Sequence, residues 1–426
     1  MTQYDRRGLS VTTTSAAAVR HLDEAVRSFL AHRSDAALHL EHALSADAGL
    51  VVARSFFGLA QLLLGRSELF PAARGAAKLA SAAIRERGAT LRERRIFDAL
   101  SFWLADDMES CAATLEAAVQ DEPLDALSLK LAHAVRFMLG DAQSMRRAAE
   151  TAAGAWTSSV PDCGFIRGCH AFALEETGEM AEAMRLAFNA MELEPDDVWG
   201  RHALVHVCHA RRAVKAGLNL LQELEGHLGP VNNFAYHLGW HEALFEVARG
   251  GRKAAFDLYD RKVRCAHTDD YRDIANGASL LWYFEQRGWD VGNRWRALAD
   301  LAENRLDDGA LVFAQLHYLL CLVGAGRGKA AVDLLAAMQQ RAEHGIGTQA
   351  RILRSVGLPL SAMIARGFDH GATDNARDLP PIANALHRIG GSHLQRVLFH
   401  HLIAAARGAN SSALPPAIAA SFGAAA

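Results

Sequence analysis

The sequence predicts an all-α chain, an α-solenoid of divergent helical hairpins, and three observations lead there. Apolar residues recur at the spacing of one helix face along almost the whole length. Alternating runs rich in Val, Ile and Thr, which mark half-buried strands, are nearly absent. Only 10 prolines interrupt the 426 residues, aromatic residues make up 7%, and alanine, the best helix former, is abundant.

Taken in order, residues 1–15 read as a loose N-terminus, 16–407 as a single superhelical domain, and 408–426 as a flexible tail. Within the domain the helices repeat. The clearest unit runs from Phe172 to Pro195: Gly178 permits a tight turn, and Ala183, Ala187 and Ala190 let two antiparallel helices approach closely. Pro195 stops the second helix, and Asp196 is expected to cap the next. The same grammar appears from Asp106 to Pro123, with Cys111 and Ala118 in the small positions. The two prolines are 72 residues apart, two units of 36. Weaker copies run from Ser34 to Asp47, Gly250 to Tyr259 and Gly326 to Met338. This is a tetratricopeptide-like pattern, and it leads us to expect a right-handed superhelix of about eight to ten hairpins. Ala372 to Pro381 reads as a loop in that continuous structure.

Composition narrows the function. Forty-five Lys and Arg stand against 48 Asp and Glu, a net charge of −3 without like-charge runs, so neither a basic nucleic-acid binder nor an acidic tail is expected. The best apolar stretch, Leu311 to Val323, is interrupted by Gln315 and His317 and is too short to span a bilayer, so no membrane span is expected. The first residues lack the apolar run of a signal peptide, and six cysteines without a CxxC favour reduced thiols, hence the cytoplasm. There is no GxxxxGK[ST], GxSxG, GxGxxG or HExxH, which removes the common NTPase, hydrolase, dinucleotide and zincin readings.

Two histidine pairs remain. His202 and His206, with His209, share one face of a helix, and His237 and His241 form a second i, i+4 pair about 28 residues on. The segment between them is long enough to return the chain, so the four imidazoles are expected to converge, as catalytic groups or as ligands of a transition metal ion such as zinc. Glu175, Glu176 or Asp197 would complete the shell or orient a ring. The competing interpretation is a set of hydrogen-bonded core histidines, and His209 is expected to be peripheral. His317 sits among apolar neighbours, and by itself reads as core. Gly390-Gly391-Ser392 allows a tight turn with Ser392 capping the next helix, from which His393, Gln395 and Arg396 would meet an anion. Trp199 and Trp240 lie beside the histidine pairs and would wall a ligand pocket. His400 and His401 look incidental.

With those motifs in view, the chain resembles the tetratricopeptide repeat protein 38 family over roughly residues 20–410. The carriers are FALEETGEMAEA with the following PDDVW and RHALVHV, HLGWHEALFEVARG, SLLWYFEQRGWDVGNRW and GGSHLQR; Arg92-Glu93 and the segment from Asp125 also fit. The resemblance places the family's histidine pair on His202 and His206, its H-x-x-W-H on His237, Trp240 and His241, its mid-helix histidine on His317, and its G-G-S-H-x-Q-R on Ser392, His393, Gln395 and Arg396. Glu175 and Glu176 match its L-E-E. The chain departs from the family's pattern at His209, where Glu is common, at Gly239-Trp240, where a Trp pair is common, at Val397, and near Ile96. The resemblance implies a divergent tetratricopeptide-like solenoid and carries no activity with it.

The expectation for function is a cytosolic small-molecule enzyme or binding protein with a His-rich concave pocket, with or without a transition metal ion such as zinc, in which Arg396 anchors an anionic ligand group. The alternative is a repeat adaptor for a protein or peptide. Whether a reaction occurs is not determined at this level.

Overall fold

A computed structural model describes residues 2–225, 231–366 and 379–406. The expected tail, and most of the loop from Ala372, lie outside the described residues. The fold is all-α, as the periodicity predicts, and the chain divides into two compact units.

The first unit comprises Met1–Leu64, Glu68–Val207 and Gln222–Asn232. It holds β1 (Thr2–Tyr4), β2 (Ser10–Thr12), α1 (Ala16–Leu30), α2 (Ala36–Ala46), α3 (Val51–Leu63), α4 (Phe70–Arg87), α5 (Leu91–Leu104), α6 (Met108–Asp121), α7 (Ala126–Leu139), α8 (Ala142–Ala153), α9 (Cys163–Glu176), α10 (Met180–Leu193) and α11 (Val198–Ala210) as far as Val207. Consecutive helices pack as hairpins, α1 with α2 through α9 with α10, and α3 packs on α5 and α7 on α9. The sequence signals do the work expected of them. Gly178 takes a left-handed φ of 90° between α9 and α10, and Ala183, Ala187 and Ala190 are wholly buried in that hairpin. Cys111 and Ala118 are equally buried in α6.

Two expectations are corrected here. Residues 2–15 are not loose. Thr2 pairs with Thr12 in an antiparallel hairpin, and the turn between the strands is held by buried charge. Arg7 Nη1 donates to Asp162 Oδ2 at 2.6 Å, with both side chains excluded from solvent. Thr12 donates through its backbone N–H and its hydroxyl to the two oxygens of Glu93. These long-range partners, invisible to local patterning, order a segment too polar to bury itself. The second correction concerns the cap of α11, which is Asp197 and not Asp196. Its carboxylate accepts from the N–H groups of Trp199 and Gly200, each at 3.1 Å, a bond pattern that only the residue beside the first turn can make.

The first hairpin also reaches beyond its sequence neighbour. α1 packs on α7, and Arg27 bridges Asp162 and Glu194. Arg92 forks onto Asp125, at 2.9 Å from Nε and 3.1 Å from Nη2, tying α5 to the start of α7.

The second unit comprises Gly65–Ser67, Cys208–Leu221 and Asn233–Ala426. It includes α12 (Val214–Glu225) as far as Leu221, α13 (Phe234–Ala248), α14 (Arg252–Leu258), α15 (Tyr271–Gln286), α16 (Arg294–Glu303), α17 (Val312–Gly324), α18 (Gly328–His344), α19 (Thr348–Ile352), α20 (Leu358–Ala365), α21 (Leu379–Ala385) and α22 (His393–Ala406). π-helical turns follow α14 at Tyr259–Val263 and α19 at Leu353–Gly357. α17 lies at the centre, packed by α15, α16, α18 and α20, which is why its side chains from Val312 to Leu322 are all buried. Among the described residues no helix is long and apolar enough to cross a membrane.

Candidate functional site

In the first unit the site begins with two glycines. A Cβ on Gly168 of α9 or on Gly200 of α11 would run into Asp197, so the two helices touch here only because both positions lack a side chain. Two turns farther along, this approach brings Glu175 of α9 against His206 of α11. Glu175 Oε2 lies 3.1 Å from His206 Nδ1, with neither side chain exposed, and Glu176 stands 3.8 Å from the same nitrogen. A carboxylate only accepts, so the imidazole donates from Nδ1, which leaves Nε2 as the ring nitrogen turned away from the carboxylate. The His202 ring stands 4.4 Å from that of His206, nearly perpendicular, and stacks on Phe172. Their ligand atoms lie within 4.8 Å of each other.

Trp199 continues this stack. Its ring centroid is 5.0 Å from His202 and 4.6 Å from Phe172. Its indole N–H donates to His133 Nε2 at 3.2 Å. Indole can only donate, so His133 is neutral with its proton on Nδ1. Burial pushes His133 well below its ordinary range, and the neighbouring Lys130 cation pushes in the same direction. Lys130 is itself buried, with its ammonium 4.5 Å from the Trp199 ring, 3.1 Å from His32 Nε2 and 3.8 Å from Cys169 Sγ. Among the described residues no carboxylate lies within ion-pair distance of it. His32 stacks on Trp199 at 5.2 Å from a left-handed backbone position, φ 55°. Asp197 is lifted to about 7, chiefly by burial, against the opposing pull of its two N–H donors and of Lys130.

The sequence reading missed Lys130, His133 and His32. A signal for the first two was present, since Lys and His at i, i+3 interrupt the otherwise apolar face of α7 in ALSLKLAHAV. His32 had none, because it lies in the turn after α1.

In the second unit His237 and His241 meet as the spacing predicts. Their Nε2 atoms are 3.2 Å apart, and His237 Nδ1 is 3.1 Å from Asn276 Oδ1. Two nitrogens on one tetrahedral zinc at 2.0–2.1 Å would stand about 3.3–3.4 Å apart, so the pair also has the separation of two ligands of a single ion. Trp240 is fully buried, stacks on His237 and donates from its indole to Ser279 Oγ at 2.9 Å. His209 lies flat on Phe245, with ring centroids 3.7 Å apart, and its ring is 5.2 Å from that of His241.

The remaining candidates are built into the packing. His317 donates from Nδ1 to the Phe313 carbonyl at 2.8 Å and is enclosed by Phe313 and Phe399, and burial lowers it to about 4. Ser392 caps α22 reciprocally with Gln395: the Gln395 N–H donates to Ser392 Oγ at 3.2 Å, and the Ser392 N–H donates to Gln395 Oε1 at 3.0 Å. Gly390 and Gly391 both take left-handed φ, as the turn requires. Arg396 folds back to donate to the carbonyls of Gly390 and Gly391, so part of its guanidinium holds this turn rather than a ligand. His393 begins the helix that the turn introduces. His400 and His401 are lowered to about 4, mainly by burial, and His401 packs against Trp282. No protein-family model matches the chain.

Proposed function

We propose that this chain is a small-molecule enzyme or binding protein that works through the two imidazoles of α11 and the Glu175 carboxylate of α9. The observation that carries the reading is the buried contact between Glu175 and His206. A core that only needed filling would be made more cheaply from apolar side chains of the same volume, whereas a carboxylate on Nδ1 is how an imidazole is fixed as a base or a metal ligand at Nε2.

In this reading His206 accepts a proton from the ligand or binds a zinc-class ion at Nε2, His202 supplies the second imidazole, and Glu175 orients His206. Phe172 and Trp199 form the apolar wall. Lys130, a buried cation against the Trp199 ring, favours an anionic group on the ligand. Burial of these side chains favours a small ligand over the peptide groove of a repeat adaptor, which presents accessible residues.

The six cysteines are free in the structure, which supports a cytoplasmic location. We also infer membership of the tetratricopeptide repeat protein 38 family. It is supported by the turn at Gly178, the Asp197 cap before His202 and the Ser392–Gln395 box, which lie within the stretches that carry the resemblance.

The test is elemental analysis of untagged protein together with a thermal-shift screen of metabolites, repeated on His206→Gln. Bound metal or small anionic hits that disappear in the variant, at an unchanged melting temperature, would support the reading. Hits confined to peptides, or a variant that only loses stability, would sink it.

A further inference from the structure

A separate group of imidazoles lies on the first hairpin. His21 of α1 and His39 and His42 of α2 place one ligand atom each within 4.8 Å of one another, and the His21 and His42 rings are 5.1 Å apart. None of the three is buried, and the His42 side chain faces solvent. His39 and His42 are i, i+3 neighbours and share a face of α2, while His21 meets them from the antiparallel partner helix. Asp35 Oδ2 stands 3.9 Å from His39 Nε2 while also pairing with Arg33 at 3.1 Å, so a carboxylate is at hand to orient that ring.

A second feature points the same way. α2 buries only Leu40 and Ala43 of its 11 residues, so little apolar area fastens it to the unit. We propose that His21, His39 and His42 form a three-imidazole site for a divalent ion of the zinc class, closed by water, that staples α2 to α1. Three nitrogens at 2.0–2.1 Å from a tetrahedral ion stand about 3.3–3.4 Å apart, and the observed spacing, at most 4.8 Å, is within about 1.5 Å of that. Imidazole without thiolate suits zinc, nickel or copper and disfavours magnesium and calcium. The site is independent of the buried imidazoles of α11.

The experiment uses the untagged full chain, stripped with chelator, titrated with zinc chloride by calorimetry and followed by hydrogen exchange. The wild type should show a zinc-binding event that His21→Asn/His39→Asn/His42→Asn lacks, and zinc should slow exchange across residues 36–46. His42→Ala, a surface change with little folding risk, should weaken that event by at least the roughly 10–100-fold that loss of an outer-shell partner costs. His206→Gln should leave it intact. Zinc binding unchanged in the triple variant, or absent exchange protection in α2, would overturn the proposal. Loss of every binding event in the triple variant would uphold it and count instead against a metal at His206.

Discussion

The Glu175 carboxylate holds His206 Nδ1 at 3.1 Å with both side chains sealed from water, and this pair fixes the orientation of the His206 ring in α11. Glu175→Leu removes the nearest acceptor of that N–H and leaves Glu176, at 3.8 Å, beyond hydrogen-bond reach. The expected cost is about 1–3 kcal/mol of stability, read from the urea midpoint. Glu175→Gln retains an acceptor oxygen, so it should cost less stability while still weakening metal or ligand binding. Equal losses in both variants would show that charge plays no part.

Asp197 provides a pH test. Its folded-state value, about 7, lies above the ordinary value of 3.8, so the folded chain retains a proton that the unfolded chain gives up. Stability from this group is complete below pH ~4 and is lost as pH rises towards 7, with a slope of at most about 1.4 kcal/mol per pH unit. Asp197→Asn keeps one acceptor for the cap and removes the titration. Relative to the wild type it should gain stability between pH 4.5 and 7.5, measured as paired urea melts, and a constant difference would refute the shift.

Gly168→Ala should separate α9 from α11. The added methyl collides with the Asp197 carboxylate, and that overpacking costs roughly 1–3 kcal/mol. Because Glu175 lies two turns farther along the same helix, ligand or metal binding at His206 should weaken as well. Gly154→Ala, where a methyl meets nothing within 4 Å, is the control and should leave both unchanged.

Arg7→Met should cost about 3–5 kcal/mol, because it leaves the sealed Asp162 carboxylate short of its closest cation. The measurement is the thermal midpoint, together with protease sensitivity of residues 1–15. A surface segment of no consequence would give a change within ~0.5 kcal/mol.

Periodicity and punctuation by themselves determined the helical class, the α9–α10 hairpin around Gly178, the Ser392 cap of α22 and the pairing of His237 with His241, because each depends on residues within a few positions of one another. Spacing places side chains on a helix face, but it is silent on what that face meets. Only tertiary structure decided that Glu175 reaches His206, since this follows from the close approach of Gly168 and Gly200. It likewise put Lys130 beside His32, 98 residues away, set His21 across from His39 and His42, and fastened the N-terminal hairpin through Arg7 and Asp162, 155 residues apart. Those contacts join polar groups across long loops, and their free energy comes from shared burial that no local pattern encodes.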